Sequence, residues 1–458
     1  MIAQQTPTQA TAPGPRGLPI IGNVLEMGGN NTLERYMLMR QKYGDLVGVK
    51  LGPMHGFIVF NPEDVYYVLV KNQKNYIKGI GYDSFRLLVG NGLVTSDGAL
   101  WRQQRRLMQP PFTPASIGQY ADMMVDVTKT LLDGWQALAD RGGTFEMDAA
   151  MRQLTMSIIG RAMFSIDLSA EMTEVGDALE EAFGFIPTRT NSVVPLALPL
   201  PAHRRFKDNL RIINAFVDER IAEGRHNPDQ NNLLGLLLRA RDEETGAMMD
   251  AQQLRDEVIT LFFAGFETTA RSLTWGWYML TRHLDAQQKI QAEVDAVLGA
   301  RLPAIDDLFA LNYTRQVVDE TLRLYPPTAL LARQNSEADT IGGYTIPAGS
   351  LIILVPYFVH RHPSVWEDAE RFDPDRFAAG ANEARARSAY IPFAAGPRVC
   401  LGNNFALLEM VYAMAMTAQR YTITAATGEE IAHEFAGTIR PVKPLIVKIE
   451  NRRKAETA

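Results

Sequence analysis

The residues best placed to do chemistry surround the one cysteine in the chain, Cys400. It stands in the run Phe393-Ala-Ala-Gly396-Pro-Arg398-Val-Cys400-Leu-Gly402, and the apolar helical run Asn403–Tyr421 follows at once. Disulfide frameworks, cysteine zinc sites and iron–sulfur clusters all need more thiols. A lone cysteine is therefore an inert buried side chain, a nucleophile or a single metal ligand. Its neighbours suit a thiolate. The mouth of a helix offers free amides and the positive end of the macrodipole. Gly396 and Gly402 permit a tight loop whose N–H groups can approach the sulfur. Arg398 supplies a cation that can meet a carboxylate.

A second constellation, Ala264-Gly265-Phe-Glu267-Thr268-Thr269, lies inside a helix expected from about Asp250 to Leu284. A mid-helix glycine costs ~1 kcal/mol relative to alanine, so it needs a reason. Ala264 and Thr268 are four apart, Gly265 and Thr268 three apart, and all share a face. The small residues open a hollow there, or they let a second helix cross closely. Thr268 either presents its hydroxyl to the hollow or bonds back to the carbonyl of residue 264. Glu267 beside it can relay protons.

Together these blocks resemble the cytochrome P-450 superfamily, whose loop Phe-x-x-Gly-x-Arg-x-Cys-x-Gly is filled at every fixed position. The resemblance implies that Cys400 is the axial ligand of haem b (iron protoporphyrin), with Pro392 and Phe393 beside the sulfur and Arg398 on a propionate. A thiolate ligand favours O–O cleavage. It further implies that Ala264, Gly265 and Thr268 lie against the haem, and that Glu267 and Thr268 form the acid–alcohol pair that delivers protons. Trp101 and Arg105, four apart on one helix face, and Arg333 are implied as further propionate ligands. Glu320 and Arg323, with Arg376 in Phe372-Asp-Pro-Asp-Arg376-Phe377, are implied as a structural network behind the haem. Some bacterial members have histidine where Trp101 stands. The family pattern walls the substrate pocket with Tyr82, Phe85, Leu93, Val94, Phe263, Ala264, Thr328, Ala329, Leu330 and Thr438. The implied activity is a haem-thiolate monooxygenase that inserts one oxygen atom of O2 into an apolar small molecule, a fatty acid, terpenoid or steroid-like compound.

The elements that must position these residues read as mainly α with small β-sheets. The resemblance implies a triangular fold with haem between the oxygen-activating helix and the cysteine-ligand helix. Leu46–Leu51 and Gly56–Phe60 read as strands about the turn Gly52-Pro53. Asn61 followed by Pro62, Glu63 and Asp64 is a helix start: a cap, a proline at the first position, then acids at the positive end. From about Met151 to Met416 the apolar spacing is helical. Strand-like runs return at Tyr344–Val355 and Leu445–Ile449. Pro187–His203 reads as an irregular lid, residues 1–12 as a disordered tail, and residues 13–458 as one domain. Nothing alternates strand with helix as a doubly wound sheet requires.

A net charge of −6 lacks the concentrated basic surface that phosphate binding needs, so nucleic acid is not an expected partner. No stretch approaches the ~20 apolar residues of a membrane span. The first residues lack the basic start and apolar run of a secretory signal. A cytoplasmic monomer is the expectation. His360-Arg-His362 reads as a turn before Pro363. No Gly-x-Gly-x-x-Gly follows a strand, so electrons are expected from an external ferredoxin or flavodoxin with its reductase. Arg102 and Arg106, four apart, form either one docking patch for such an acidic donor or a plain solvated face.

Overall fold

In the computed structural model, residues 11–452 are described except 28, 30, 168–169, 191–193, 228 and 382–384; residues 170, 171 and 190 are described by backbone alone. The tail expected over residues 1–12 lies outside the described residues but for its last two. The proline lead-in packs: the carbonyl of Pro13 accepts from the amide of Gly48 at 2.8 Å.

Strands β1 (Leu46–Leu51) and β2 (Met54–Val59) form the expected hairpin, paired from Leu46 with Val59 to Leu51 with Met54. Asn61 caps the next helix, its side chain accepting from the amides of Glu63 and Asp64. Strands β3 (Tyr76–Ile77), β4 (Leu331–Asn335) and β5 (Leu351–Leu354) complete a five-stranded sheet in the order β1-β2-β5-β4-β3. Only β2 with β5 is parallel. The run Tyr344–Val355 is thus two strands, Tyr344–Ile346 and β5, because Pro347-Ala-Gly349 turns the chain between them and Gly349 takes φ +76°. Pairing Ile77 with Gln334 brings Lys78, just past β3, beside Arg333 on β4.

The helices that carry the site are α1 (Asp83–Val89), α2 (Gly98–Met108), α3 (Met147–Phe164), α4 (Ala170–Thr190), α5 (Pro201–His226), α6 (Ala251–Arg282), α7 (Asn312–Leu324) and α8 (Asn403–Arg420). The lid expected from Pro187 to His203 is shorter than its prolines suggest. Pro187 lies inside α4 and His203 inside α5, residues 191–193 fall outside the described residues, and 194–200 are irregular. Helix α6 runs through the centre, and both Trp275 and Trp277 on it are fully buried. It ends at Arg282 rather than Leu284, since His283 leaves helical geometry at φ −129°, ψ 72°. A second helix starts at Leu284. Helices α6, α7 and α8 share one apolar core.

Behind that core, α7 fixes the backbone by a buried ion pair. Arg323 donates to both oxygens of Glu320 at 2.6 and 2.8 Å, and neither side chain is exposed. Two buried charges stabilise only if their remaining donors and acceptors are filled. Here they are: Arg323 also donates to the carbonyls of His360, Ala369 and Arg371, and Glu320 accepts from the amide of Asp373. Arg376 stands 3.7 Å from Glu320, a looser third member. Glu320→Gln leaves Arg323 buried without its counter-charge, and should lower unfolding free energy by about 3–5 kcal/mol in denaturant titration. A loss under ~1 kcal/mol, the value of an exposed pair, would contradict the network.

Candidate active site

Cys400 sits where the loop turns into α8. Its amide donates to the Phe393 carbonyl at 2.9 Å, which closes the loop. Gly396 takes φ +71°, and a Cβ there would lie 2.2 Å from the carbonyl oxygen of Leu69. Only glycine fits. Burial pushes the Cys400 thiol up, while the amide of Gly402 and the guanidinium of Arg105 pull it down. Residue Cys400 nonetheless keeps accessible surface, so it is not packed on every side.

Helix α6 shows the matching face. Leu261, Ala264, Gly265 and Thr268 keep accessible surface, whereas Phe262, Phe263, Phe266, Glu267 and Thr269 around them are buried. Gly265 answers the question its cost raised: a Cβ there would lie 2.6 Å from Cδ1 of Ile159 on α3. The glycine serves a close helix crossing. Thr268 Oγ donates back to the Ala264 carbonyl at 2.9 Å.

Glu267 is buried, and its Oε1 accepts from Arg271 Nε at 3.0 Å and from Thr438 Oγ at 3.1 Å. Its Oε2 has no partner among the described residues. Burial raises its pKa, Arg271 opposes the rise, and Glu180 and Asp148 add to it. Arg271 in turn donates to Asp148 at 2.6 Å and to Glu180 at 2.6 Å. Sequence reasoning missed Arg271, although its i, i+4 spacing from Glu267 was a readable signal. Asp148 and Glu180, on α3 and α4, carried none. Thr438, expected in the pocket wall, spends its hydroxyl on Glu267.

A cationic cluster stands to one side. Arg398 donates to Asp97 at 2.6 Å and to the Ser96 carbonyl at 2.9 Å, and lies 4.4 Å over the ring of Trp101. Lys78 is 7% exposed, and burial brings it down to about 8. Its Nζ is 4.1 Å from the ring centre of Tyr82. Burial raises Tyr82, but Lys78 and Arg333 outweigh that and bring it to about 8. Tyr82 therefore belongs with the cations, not with the apolar wall. Nothing in the sequence singles out Lys78; the β3–β4 pairing reveals it.

Arg105 departs from the expected grouping. Its guanidinium donates to the Val399 carbonyl at 2.9 Å, on the thiol side. Arg106 is no free cation either: it pairs with Asp242 at 2.8 Å and Glu244 at 3.1 Å. Of the expected docking pair only Arg102 remains exposed and without an acidic partner among the described residues.

Three aromatic rings meet between α1, α4 and α6. Phe85 on α1, Phe183 on α4 and Phe263 on α6 lie with centres 5.8, 6.0 and 4.5 Å apart. Phe183 was missed, and a Cβ on Gly437 would press 2.4 Å from its ring. Leu93, Val94 and Leu330 are half-buried, Ala329 is fully buried and Thr328 is exposed.

The residues present fit a haem. Lys78, Arg333 and Arg398 carry three positive charges against one on Asp97, and a surplus of two matches two propionates. Burying such cations is costly without counter-charge. Cys400 and the small-residue face of α6 both keep accessible surface. Arg398, Lys78, Arg333 and Trp101 would hold the carboxylates, and Cys400 the iron.

Comparison with known proteins agrees. The family description "Cytochrome P450" matches residues 12–449. Cyclooctatin synthase of Streptomyces melanosporofaciens is 36% identical over 94% of both chains. Pentalenene oxygenase of Streptomyces avermitilis is 30% identical over 98% of this chain and 99% of its own. The crystal structure of the cytochrome P450DA heme domain superposes with a TM-score of 0.88 at 28% identity, covering 97% of this chain and 98% of that one. A thiol loop, a helix-borne acid and alcohol, and a match across nearly the whole length lead to one conclusion: the chain belongs to the cytochrome P450 family and is a haem-dependent monooxygenase.

Proposed function

We propose that this monooxygenase binds haem b and inserts one oxygen atom of O2 into an apolar terpenoid, drawing electrons from a separate ferredoxin or flavodoxin. The observation that carries the substrate class is the Phe85–Phe183–Phe263 trio, whose third ring adjoins Ala264 on α6. Such a wall recognises hydrocarbon by area and shape, with little polar demand. Relatives named cyclooctatin synthase and pentalenene oxygenase support terpenoids over fatty acids.

When bound, haem supplies the iron at which O2 is activated. The chain supplies the rest. Arg105 and the Gly402 amide favour the thiolate form of Cys400. Thr268 Oγ, fixed by the bond it donates to the Ala264 carbonyl, keeps a hydroxyl at the helix face that accepts there and passes on its own proton only by releasing that carbonyl. Glu267, driven toward its protonated form by burial, replenishes that proton through its unpartnered Oε2. Arg271 and Thr438 keep the carboxyl from swinging free.

Titrating the haem protein with terpene hydrocarbons and with fatty acids of equal carbon number tests the substrate class. Terpenes should displace the haem absorption band at concentrations at least ~10-fold lower. Equal or better response to fatty acids would contradict it.

A further inference from the structure

In the first half of α6, three buried polar atoms have no hydrogen-bond partner among the described residues: Gln253 Nε2, Glu257 Oε1 and Thr260 Oγ. Their i, i+4, i+7 spacing sets them on one helix face, and the same face continues to Ala264 and Thr268. Glu257 is 0% exposed and Thr260 3%. The other oxygen of Glu257 accepts from the amide of Leu93 at 2.9 Å. A Cβ on Gly92 would lie 2.3 Å from Thr260 Oγ. Both groups thus sit in the crease between α6 and the loop that carries Leu93 and Val94. Thr260 is one turn before Phe263 and Ala264, and Glu257 one turn before Thr260. Leu93 on the loop and Phe263 on the helix supply hydrocarbon nearby, and the adjacent carboxylate, Asp256, is held by the amide of Asn91 at 2.7 Å. Unpartnered buried groups are a standing cost that a matching ligand atom removes.

We propose that Glu257 and Thr260 form a polar subsite that binds a hydroxyl already present on the otherwise apolar substrate. This rests on the apolar-substrate reading above and narrows it to molecules that carry oxygen before they arrive. Burial raises Glu257 to about 8, so it is mostly the neutral acid at pH 7. Since Oε2 accepts from Leu93, the proton resides on Oε1. Oε1–H donates to the substrate oxygen, and Thr260 Oγ accepts the substrate O–H. A hydrocarbon offers neither partner. At 1.5 Å rise per residue, the two groups lie about 6–10 Å along the helix from Ala264, which sets the distance between the hydroxyl and the oxidised carbon. A relative named cyclooctat-9-en-7-ol 5-monooxygenase acts, by its name, on an alcohol.

The test uses matched probes, cedrane with cedrol and androstane with androstanol, titrated into the haem-loaded protein and followed by the displacement of the haem band. The alcohol of each binding pair should bind about tenfold more tightly than its hydrocarbon, the worth of a desolvated hydrogen-bond pair. Thr260→Val and Glu257→Leu should each erode that preference and leave hydrocarbon affinity within about threefold. Glu257→Gln retains an acceptor for Leu93 and a donor for the ligand, and should keep most of the preference. Equal affinity of alcohol and hydrocarbon in the parent protein overturns the subsite and spares the apolar-substrate reading. So does a preference that survives both removals. Equal loss for both probes on Glu257→Leu, with Thr260→Val silent, means that Glu257 only clasps the loop, and likewise overturns it. No response to any probe overturns the substrate class and the subsite with it.

Discussion

Replacing Thr268 with alanine should leave haem content and substrate affinity nearly unchanged, yet send most electrons to hydrogen peroxide instead of product. The side chain makes one hydrogen bond, to the Ala264 carbonyl on its own helix, and alanine is the better helix former. Stability should therefore hold. What is lost is a positioned hydroxyl in the proton path, worth ~10²–10⁴ in rate, with water recovering part of it. Thr268→Ser retains the hydroxyl and should restore coupling. Glu267→Gln acts one step further back: it can still accept from Arg271 and Thr438 but supplies no acidic proton. Its product rate should fall with a changed solvent isotope effect, while substrate affinity stays put. Unchanged coupling in Thr268→Ala would leave Thr268 as packing at the crossing that Gly265 already makes with Ile159.

What the sequence made legible follows one physical line. Local chemistry could be read: the Asn61 cap, the Leu46–Leu51 strand and the cysteine loop each depend on residues a few positions apart. Convergence from afar could not. Lys78 reaches Arg333 only because a two-residue strand joins the large sheet, and Phe183 meets Phe85 and Phe263 across three helices. Helical spacing also tells which residues share a face but not what that face meets. Trp101 and Arg105 do lie one turn apart, yet Trp101 stacks on Arg398 while Arg105 turns to Val399. Arg102 and Arg106 likewise share a face, and Asp242 with Glu244 claims one of them. Gly265 shows the same limit: its cost was legible, but only Ile159 on another helix tells what the missing side chain is for.

The account stands or falls on Cys400 as the iron's ligand. It is the one thiol in the chain, at the mouth of α8, with the Gly402 amide and Arg105 favouring its anion. The most direct measurement is the absorption spectrum of the reduced haem protein under carbon monoxide, taken on the parent and on Cys400→His. The parent should show the red-shifted Soret band of thiolate ligation. The histidine variant should lose that band completely, along with oxygenation, even where it retains haem through Lys78, Arg333 and Arg398. A Cys400→His protein that keeps the red-shifted band would contradict the assignment, because no other thiol is available to produce it.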